Sequence, residues 1–322
     1  MWAYIVRRLL LSIPTILGIL LLTFALFSLV AQDPARAFAG RNATEETIAA
    51  VRAKMGLNKP RFFNVEAMQQ RGLPGLLDSQ FFDLALFRFP PSMRYERPVM
   101  DIILEKAPVS LAIQLPAFLI TLGLQLAVAL WVASRRGSAL DYAVTFVSVA
   151  MMSVASLSLY ILLQWLLGAK FPLFPVAGWE AGFYALQYAA LPVLASVIIT
   201  LGGGVRFYRT VILEEINQDY VRTARAKGVP EKDVLLVHVL RNVMIPVVTN
   251  TVTTLPLLIF GALILERLFQ IPGLGGLLVE AIFSQDRSVV MAVTYITALL
   301  YCLALIVSDV LYTVADPRVV LK

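Results

Sequence analysis

The chain has 322 residues, of which 59% are hydrophobic and only 15% are charged. A soluble domain carries about 25% charged residues, and repeated apolar runs of about 18 residues or more belong to membrane spans, so the composition excludes an ordinary soluble protein. The net charge of +6 is no argument for nucleic acid, because short cytoplasmic loops of membrane proteins collect Lys and Arg.

Trp2 and Tyr4 beside Arg7 and Arg8 suit a membrane interface, and Leu9 to Ala31 then runs without a charge. A cleaved signal peptide has an apolar core of only about 7–15 residues, so residues 1–31 are expected to form an interfacial segment and an uncleaved first span that starts in the cytoplasm. Residues 32–107 differ in kind. Asp33 to Lys106 holds eleven basic and nine acidic residues, with Pro60, Pro74, Pro90, Pro91 and Pro98 as breaks. A polar segment this long escapes the inside bias of Lys and Arg, so it is expected to be an extracytoplasmic subdomain. Thr44 caps a short helix in which Ile48, Val51 and Met55 recur at helical spacing. Phe81, Phe82, Phe87 and Phe89 form an aromatic cluster. It reads either as internal packing or an interfacial belt, or as a surface for an external partner.

Pro108 to Ala133 is the expected second span, with Pro116 placed to kink it. Arg135, Arg136 and Asp141 make a short turn, and Leu140 to Gly168 is the third span. Its Ser148, Ser153, Ser156 and Ser158 suit close helix approach better than substrate contact. Lys170 to Tyr184 is a short external loop, and Ala185 to Val205 is the fourth span, with Pro192 inside it. Gly202–Gly203–Gly204 is expected to end that span, loosening the helix or admitting a neighbouring backbone.

From Arg206 to Arg241 there are seven Lys or Arg residues and five acids. Each central charge costs about 2.5–3.5 kcal/mol on membrane-insertion scales, so loop 206–242 must lie in water. Gly228 can close one helix in a left-handed cap, and Pro230, Glu231 and Asp233 suit the first turn of the next. Val243 to Leu265 is the fifth span. In it Thr249 and Thr253 share one face and Asn250 and Thr254 another. Such faces point toward neighbouring helices or a water-filled path; both readings stay open, and these four residues are the candidates for lining a translocation path. Glu266 to Gly276 turns the chain outside, and Ser288 to Val314 is the sixth span, with Asp309 near its inner end, where it can pair with a loop cation. The cations at the two ends and in the short inner loops place both termini in the cytoplasm. The expected fold is an all-α membrane protein of six transmembrane helices. It has a long external loop between helices 1 and 2, a cytoplasmic coupling helix between helices 4 and 5, and a five-span core over residues 108–322.

Cys302, the one cysteine, lies in an apolar run and serves packing. With one histidine, His238, the chain offers little for a His/Cys metal site. It carries no Walker-type Gly-rich Lys motif, so no cofactor is expected here and any ATP is bound by another chain.

The run Asp219–Tyr220–Val221–Arg222–Thr223–Ala224–Arg225–Ala226–Lys227–Gly228, continued to Pro246, resembles the signature loop of ABC-importer permeases in its oligopeptide/dipeptide/nickel version. Arg222–Thr223–Ala224 stands where the general motif has Glu-Ala-Ala, a change common in that branch. Ile271–Pro272–Gly273–Leu274–Gly275, the opening Tyr4 to Gly18, Asp33–Pro34 and the closing Asp316–Pro317–Arg318 are also similar to that branch, whereas Arg61 to Tyr95 departs from it. The resemblance implies one membrane subunit of a bacterial inner-membrane importer, with a homologous permease subunit, two cytoplasmic ABC ATPases that bind Mg-ATP, and an extracytoplasmic solute-binding protein. Oligopeptides or dipeptides are the implied cargo. The docking residues it implies are Tyr220, Arg222, Ala224, Arg225, Lys227 and Gly228, with Ala224 and Gly228 giving a close fit.

Two other classes compete. A secondary transporter of a small solute usually carries an ionisable residue near mid-membrane, and the expected spans hold almost none. A membrane hydrolase needs a base near its serine, and His238 lies in or near the charged loop, away from the span serines.

Overall fold

The computed structural model describes residues 2–27, 34–40, 43–260 and 262–315. Asp33, Asp316, Pro317, Arg318 and Lys322 lie outside the described residues, as do the side chains of Arg7, Arg8 and Asp309. Among the described residues the regular elements are all helices: α1 (Trp2–Ala25), α2 (Pro34–Ala39), α3 (Glu45–Lys54), α4 (Val65–Arg71), α5 (Leu73–Leu76), α6 (Gln80–Ala85), α7 (Val99–Ala133), α8 (Ala139–Ser153), α9 (Ser156–Leu163), α10 (Ala185–Ile216), α11 (Asp219–Ala226), α12 (Glu231–Asp233), α13 (Leu240–Phe260), α14 (Leu263–Leu268), α15 (Leu274–Phe283) and α16 (Arg287–Ala315). Wider π-helical turns extend α9 over Gln164–Lys170 and join α12 to α13 over Val234–Val239. Among the described residues four helical stretches are long and apolar enough to cross a membrane: Val99–Ala133, Ala185–Ile216, Glu231–Pro256 and Arg287–Ser308. Counting the bent pair α8–α9 as one span makes five.

The chain divides into two compact units. The first is drawn from Met1–Pro108 and Gly273–Ile306. Here Thr44 caps α3 by accepting from the Thr47 N–H, and Ile48 and Met55 are buried with Ala35 as that helix's core. A second small core joins Leu20 and Phe24 of α1 to Leu84 of α6 and Tyr295 of α16, with Phe81 and Phe89 packed against it. The connection to α7 is pinned by Ser92 donating to the buried Asp286 carboxylate and by the Tyr95 hydroxyl donating to Glu280. That carboxylate and loss of solvent together push the Tyr95 phenol up to about 12, with burial the larger cause.

The second unit is drawn from Val109–Pro272 and Val307–Lys322. At about 1.5 Å per residue, a helix of 35 residues such as α7 exceeds the roughly 30 Å of bilayer hydrocarbon. It therefore starts at Val99, ahead of the expected Pro108, and continues through Pro108 and Pro116. The third expected span is not one straight helix: α8 and α9 are bent by 96°. The break lies at Val154 and Ala155, whose backbones are extended. They follow Ser153, whose hydroxyl bonds back to the Val149 carbonyl, and Ser and Val are weak helix formers.

The fourth helix also departs from expectation. Gly202–Gly203–Gly204 does not end α10, which runs on to Ile216 and so takes up the first part of the charged loop. The glycines serve close approach instead. A Cβ on Gly202 would lie 2.8 Å from the Ser148 carbonyl oxygen, and one on Gly204 would lie 1.9 Å from Gln125 Cδ. Asp141, expected in a short turn, is buried at the start of α8 and takes two hydrogen bonds from Arg209 of α10, at 2.7 and 2.8 Å. The fifth helix stops at Phe260 rather than Leu265. The chain turns extended at Ala262, and α14 carries the fully buried Glu266, which accepts from Ser110 at 2.7 Å.

Candidate functional site

Helix α11 is short, and a helix of about two turns is not stable alone in water. Its apolar side holds it down: Val221 and Ala224 are buried in one core with Tyr208 and Ile212 of α10 and with Val234, Val239 and Val243. The end of α11 is closed by backbone alone. Gly228 has φ +78° and donates to the Arg225 carbonyl at 2.9 Å, while the Val229 N–H reaches the Ala224 carbonyl at 3.3 Å. These two bonds and a left-handed residue make a Schellman cap. Pro230 follows as the N-cap of α12.

Two side-chain ties stiffen the loop. Arg225 grips Glu231 with two bonds of 3.0 and 2.7 Å, joining α11 to α12 across the Gly turn. The Tyr220 hydroxyl donates to Glu215 at 2.7 Å, joining α11 to the end of α10. Burial and the Glu215 carboxylate hold that phenol up at about 12. The predicted docking residues therefore divide by direction. Ala224 faces inward, Tyr220 and Arg225 brace the loop, and Arg222, Lys227 and Gly228 are exposed. Nothing lies within 4 Å of where a Gly228 Cβ would sit.

The polar residues of α13 are divided as well. Asn250 and Thr254 line a cavity of about 190 Å³; Thr249 and Thr253 lie off it, and their hydroxyls bond back to the carbonyls of Ile245 and Thr249. The cavity is also lined by Gln114, Thr121 and Gln125 of α7 and by Ser196 and Thr200 of α10. Among the described residues no charged side chain lines it. Asn250 donates to the buried Tyr208 hydroxyl at 3.0 Å, and Gln125 donates to the Thr200 carbonyl at 2.9 Å across the gap that Gly204 leaves. The Gln114 side-chain nitrogen is buried without a hydrogen-bond partner among the described residues. An unpaired buried donor costs about 1–3 kcal/mol, which a bound water or ligand carbonyl would recover. The sequence reading missed these partners. The spacing of Gln114, Thr121 and Gln125 puts them on one helix face, as it does Ser196 and Thr200, and that was the available signal.

Comparison with known proteins agrees with this architecture. Residues 125–321 match the family model for the binding-protein-dependent transport system inner membrane component, and residues 1–114 match the model for its N-terminal part. The chain is 31% identical to the oligopeptide transport system permease protein AppB of Bacillus subtilis and 31% identical to the dipeptide transport system permease protein DppB of Escherichia coli, in each case over 99% of both chains. A Brucella suis protein, provisionally named as a peptide transport system permease, is 34% identical over 99% of both chains. The chain therefore belongs to the binding-protein-dependent inner membrane components, as a multi-pass bacterial permease of the peptide branch of ABC importers.

Proposed function

We propose that this permease carries oligopeptides or dipeptides, delivered by an extracytoplasmic binding protein, by alternating access driven from two cytoplasmic ATPases. A homologous permease completes the membrane part. In this reading the chain has six spans and both termini in the cytoplasm, with α1 as the first span and the bent pair α8–α9 as the third. Loop 217–239 is then cytoplasmic and residues 32–107 are outside. The names of the relatives support peptides as cargo, and they give the ion-coupled alternative no support.

The observation that carries the reading is the construction of α11 and α12. Their buried side is part of the permease core, and their exposed side offers Arg222 and Lys227 beside an open Gly228. ATP can drive the transport cycle only through a difference in its binding free energy between the two states. Moving a pair of states from 1:99 to 99:1 takes about 5.5 kcal/mol. A loop tied at Tyr220 and Arg225 can pass such a difference on without deforming first. Asn250, Thr254, Gln114 and Gln125 would meet the cargo with uncharged donors and acceptors suited to a peptide backbone. No chemistry is assigned to this chain; ATP hydrolysis takes place on the partners.

Purification of the chain from its own host membrane in mild detergent tests this. Attached nucleotide-binding ATPases and a second permease are expected, and the attached binding protein should retain a peptide. A chain that leaves the membrane alone in every detergent, stably folded, would overturn the reading.

A further inference from the structure

The cavity between α7, α10 and α13 lies wholly within the second unit. On α7 it is lined by Gln114, Ala117, Phe118, Thr121, Leu122 and Gln125. These positions recur every three or four residues and so form one stripe. At the rise of a helix the stripe is about 16 Å long from Gln114 to Gln125. The cavity volume of about 190 Å³ is that of about six waters. Spread over this length it makes a narrow slot, which suits a stretch of extended chain and not a compact solute.

The walls of the slot differ in which hydrogens are already committed. The Thr200 hydroxyl donates to the Ser196 carbonyl at 2.7 Å, and the Thr254 hydroxyl to the Asn250 carbonyl at 2.6 Å. A hydroxyl has one hydrogen, so to anything in the slot these two oxygens can only accept. Gln114 is the opposite case. Its Nε2 carries two hydrogens and is buried with no hydrogen-bond partner among the described residues. Gln125 and Asn250 are anchored already, to the Thr200 carbonyl and the Tyr208 hydroxyl. The α7 wall thus offers a donor where the hydroxyls of α10 and α13 offer acceptors.

That division matches a peptide backbone. A trans peptide unit points its C=O and its N–H in opposite directions. A strand lying along the slot can therefore turn carbonyls to one wall and the N–H groups of the same units to the other. A charged solute or a metal chelate is served poorly. Among the described residues no charged side chain lines the slot, and a charge without a partner inside a membrane protein is costly.

We propose that the slot binds the cargo as an extended strand and reads its backbone. A cargo carbonyl accepts from Gln114 Nε2, and cargo N–H groups donate to Thr200 Oγ1 and Thr254 Oγ1. This rests on the peptide-permease reading above and adds to it which atoms are read and in which direction. The discrimination it provides is for an amide backbone over an ester. An ester unit has no N–H, and it sets an oxygen against a hydroxyl that has no hydrogen left to give.

Two mixtures of random-sequence pentapeptides test it. One is all-amide; in the other the central residue is a hydroxy acid, so that one N–H becomes an ester oxygen. The purified complex, with its ATPases and binding protein, is reconstituted in liposomes, and ATP-driven uptake below saturation is read by mass spectrometry. One hydrogen bond corresponds to about 2- to 10-fold. Thr200→Val and Thr254→Val should each shrink the amide-over-ester preference of the wild type by about that factor, whereas any preference set by the binding protein stays as it is. Gln114→Met should lower pentapeptide uptake by a similar factor without lowering the melting temperature, because the empty slot gives that donor no bond to lose. An unchanged preference in both threonine variants, or uptake by Gln114→Met equal to that of the wild type, would overturn the slot and leave its groups to water alone. Lost uptake together with a lowered melting temperature would make Gln114 a packing residue and overturn its role as well. A wild-type complex that imports neither mixture would overturn the peptide reading itself, and the slot with it. Wild-type uptake that the three variants leave unaltered overturns the slot alone.

Discussion

The loop around Gly228 and the cavity around Asn250 lie in the same unit, but they are built from different kinds of information. The loop is made of neighbours. A helix of eight residues, a left-handed glycine and a proline follow one another, and the ties from Tyr220 to Glu215 and from Arg225 to Glu231 span five and six positions. The cavity is made of strangers. Its polar lining comes from α7, α10 and α13, and its key hydrogen bonds link Gln125 to Thr200 and Asn250 to Tyr208. Changes in the loop should therefore cost transport and spare the fold, whereas changes between the long helices should cost stability first.

The largest expected effect is at the joint between α8 and α10. Asp141→Ala strands Arg209 half-buried beside a lost carboxylate, and breaking a buried pair costs about 3–5 kcal/mol. Unfolding of the detergent-solubilised protein should show it as a lowered melting temperature. Gly202→Ala comes next. Its Cβ meets backbone, the Ser148 carbonyl, so α8 must move, at about 1–3 kcal/mol. Gly204→Ala meets only the movable end of Gln125 and should cost less in the same assay. The reverse order would contradict the packing account.

A smaller loss is expected at Asn250→Val, which removes the hydrogen bond to Tyr208. Interhelical hydrogen bonds in membranes contribute about 0.6 kcal/mol, with a maximum near 1.7, so the melting temperature should fall slightly. Tyr208→Phe should give a similar change, and the double variant should add little beyond either one.

Gly228→Asp sharpens the contrast most. Asp tolerates the left-handed conformation of this position better than Ala does, and nothing crowds it, so melting should fall by less than for Gly228→Ala while ATP-driven uptake in proteoliposomes is lost. Gly228→Ala is the control for backbone strain, with a cost of about 1–2 kcal/mol and partial uptake.

The smallest effect concerns acid. The Lys59 ammonium, hydrogen-bonded to Asp78, holds that carboxyl below the usual aspartate range. A carboxyl with a lowered folded pKa stabilises above its unfolded value, about 3.9, and this contribution fades as pH falls below that value through the folded pKa. Nitroxide labels at residues 61–82 should gain mobility only below about pH 4, and by little, since both partners are partly exposed.

The local region was legible in the sequence because its signals are local. Glycine at a left-handed cap, proline after it and acids in the next first turn each act on their own backbone; the structure places the glycine and the acids as read and Pro230 just ahead of the first turn, as the N-cap. The long helices were legible as apolar runs, but their ends were not. Whether Gly202–Gly203–Gly204 ends a helix depends on Ser148 and Gln125, which are distant in sequence. Asp141 read as a turn residue because Arg209 lies 68 positions away. The break at Val154 lies inside an apolar run, and the serines around it, Ser153 and Ser156, read equally as residues for close helix approach. Ala224 read as a contact for a partner, yet spacing alone does not say which side of α11 the core of its own chain occupies.

The claim that the exposed side of α11 meets an ATPase has one direct test. A photo-crosslinking residue at Lys227 or Arg222, activated in intact membranes of the native host, reports what lies against that face. The account predicts adducts with the nucleotide-binding subunit at both positions, and their loss when Gly228→Asp is added. Adducts with lipid alone, in membranes that contain the ATPase, would contradict it.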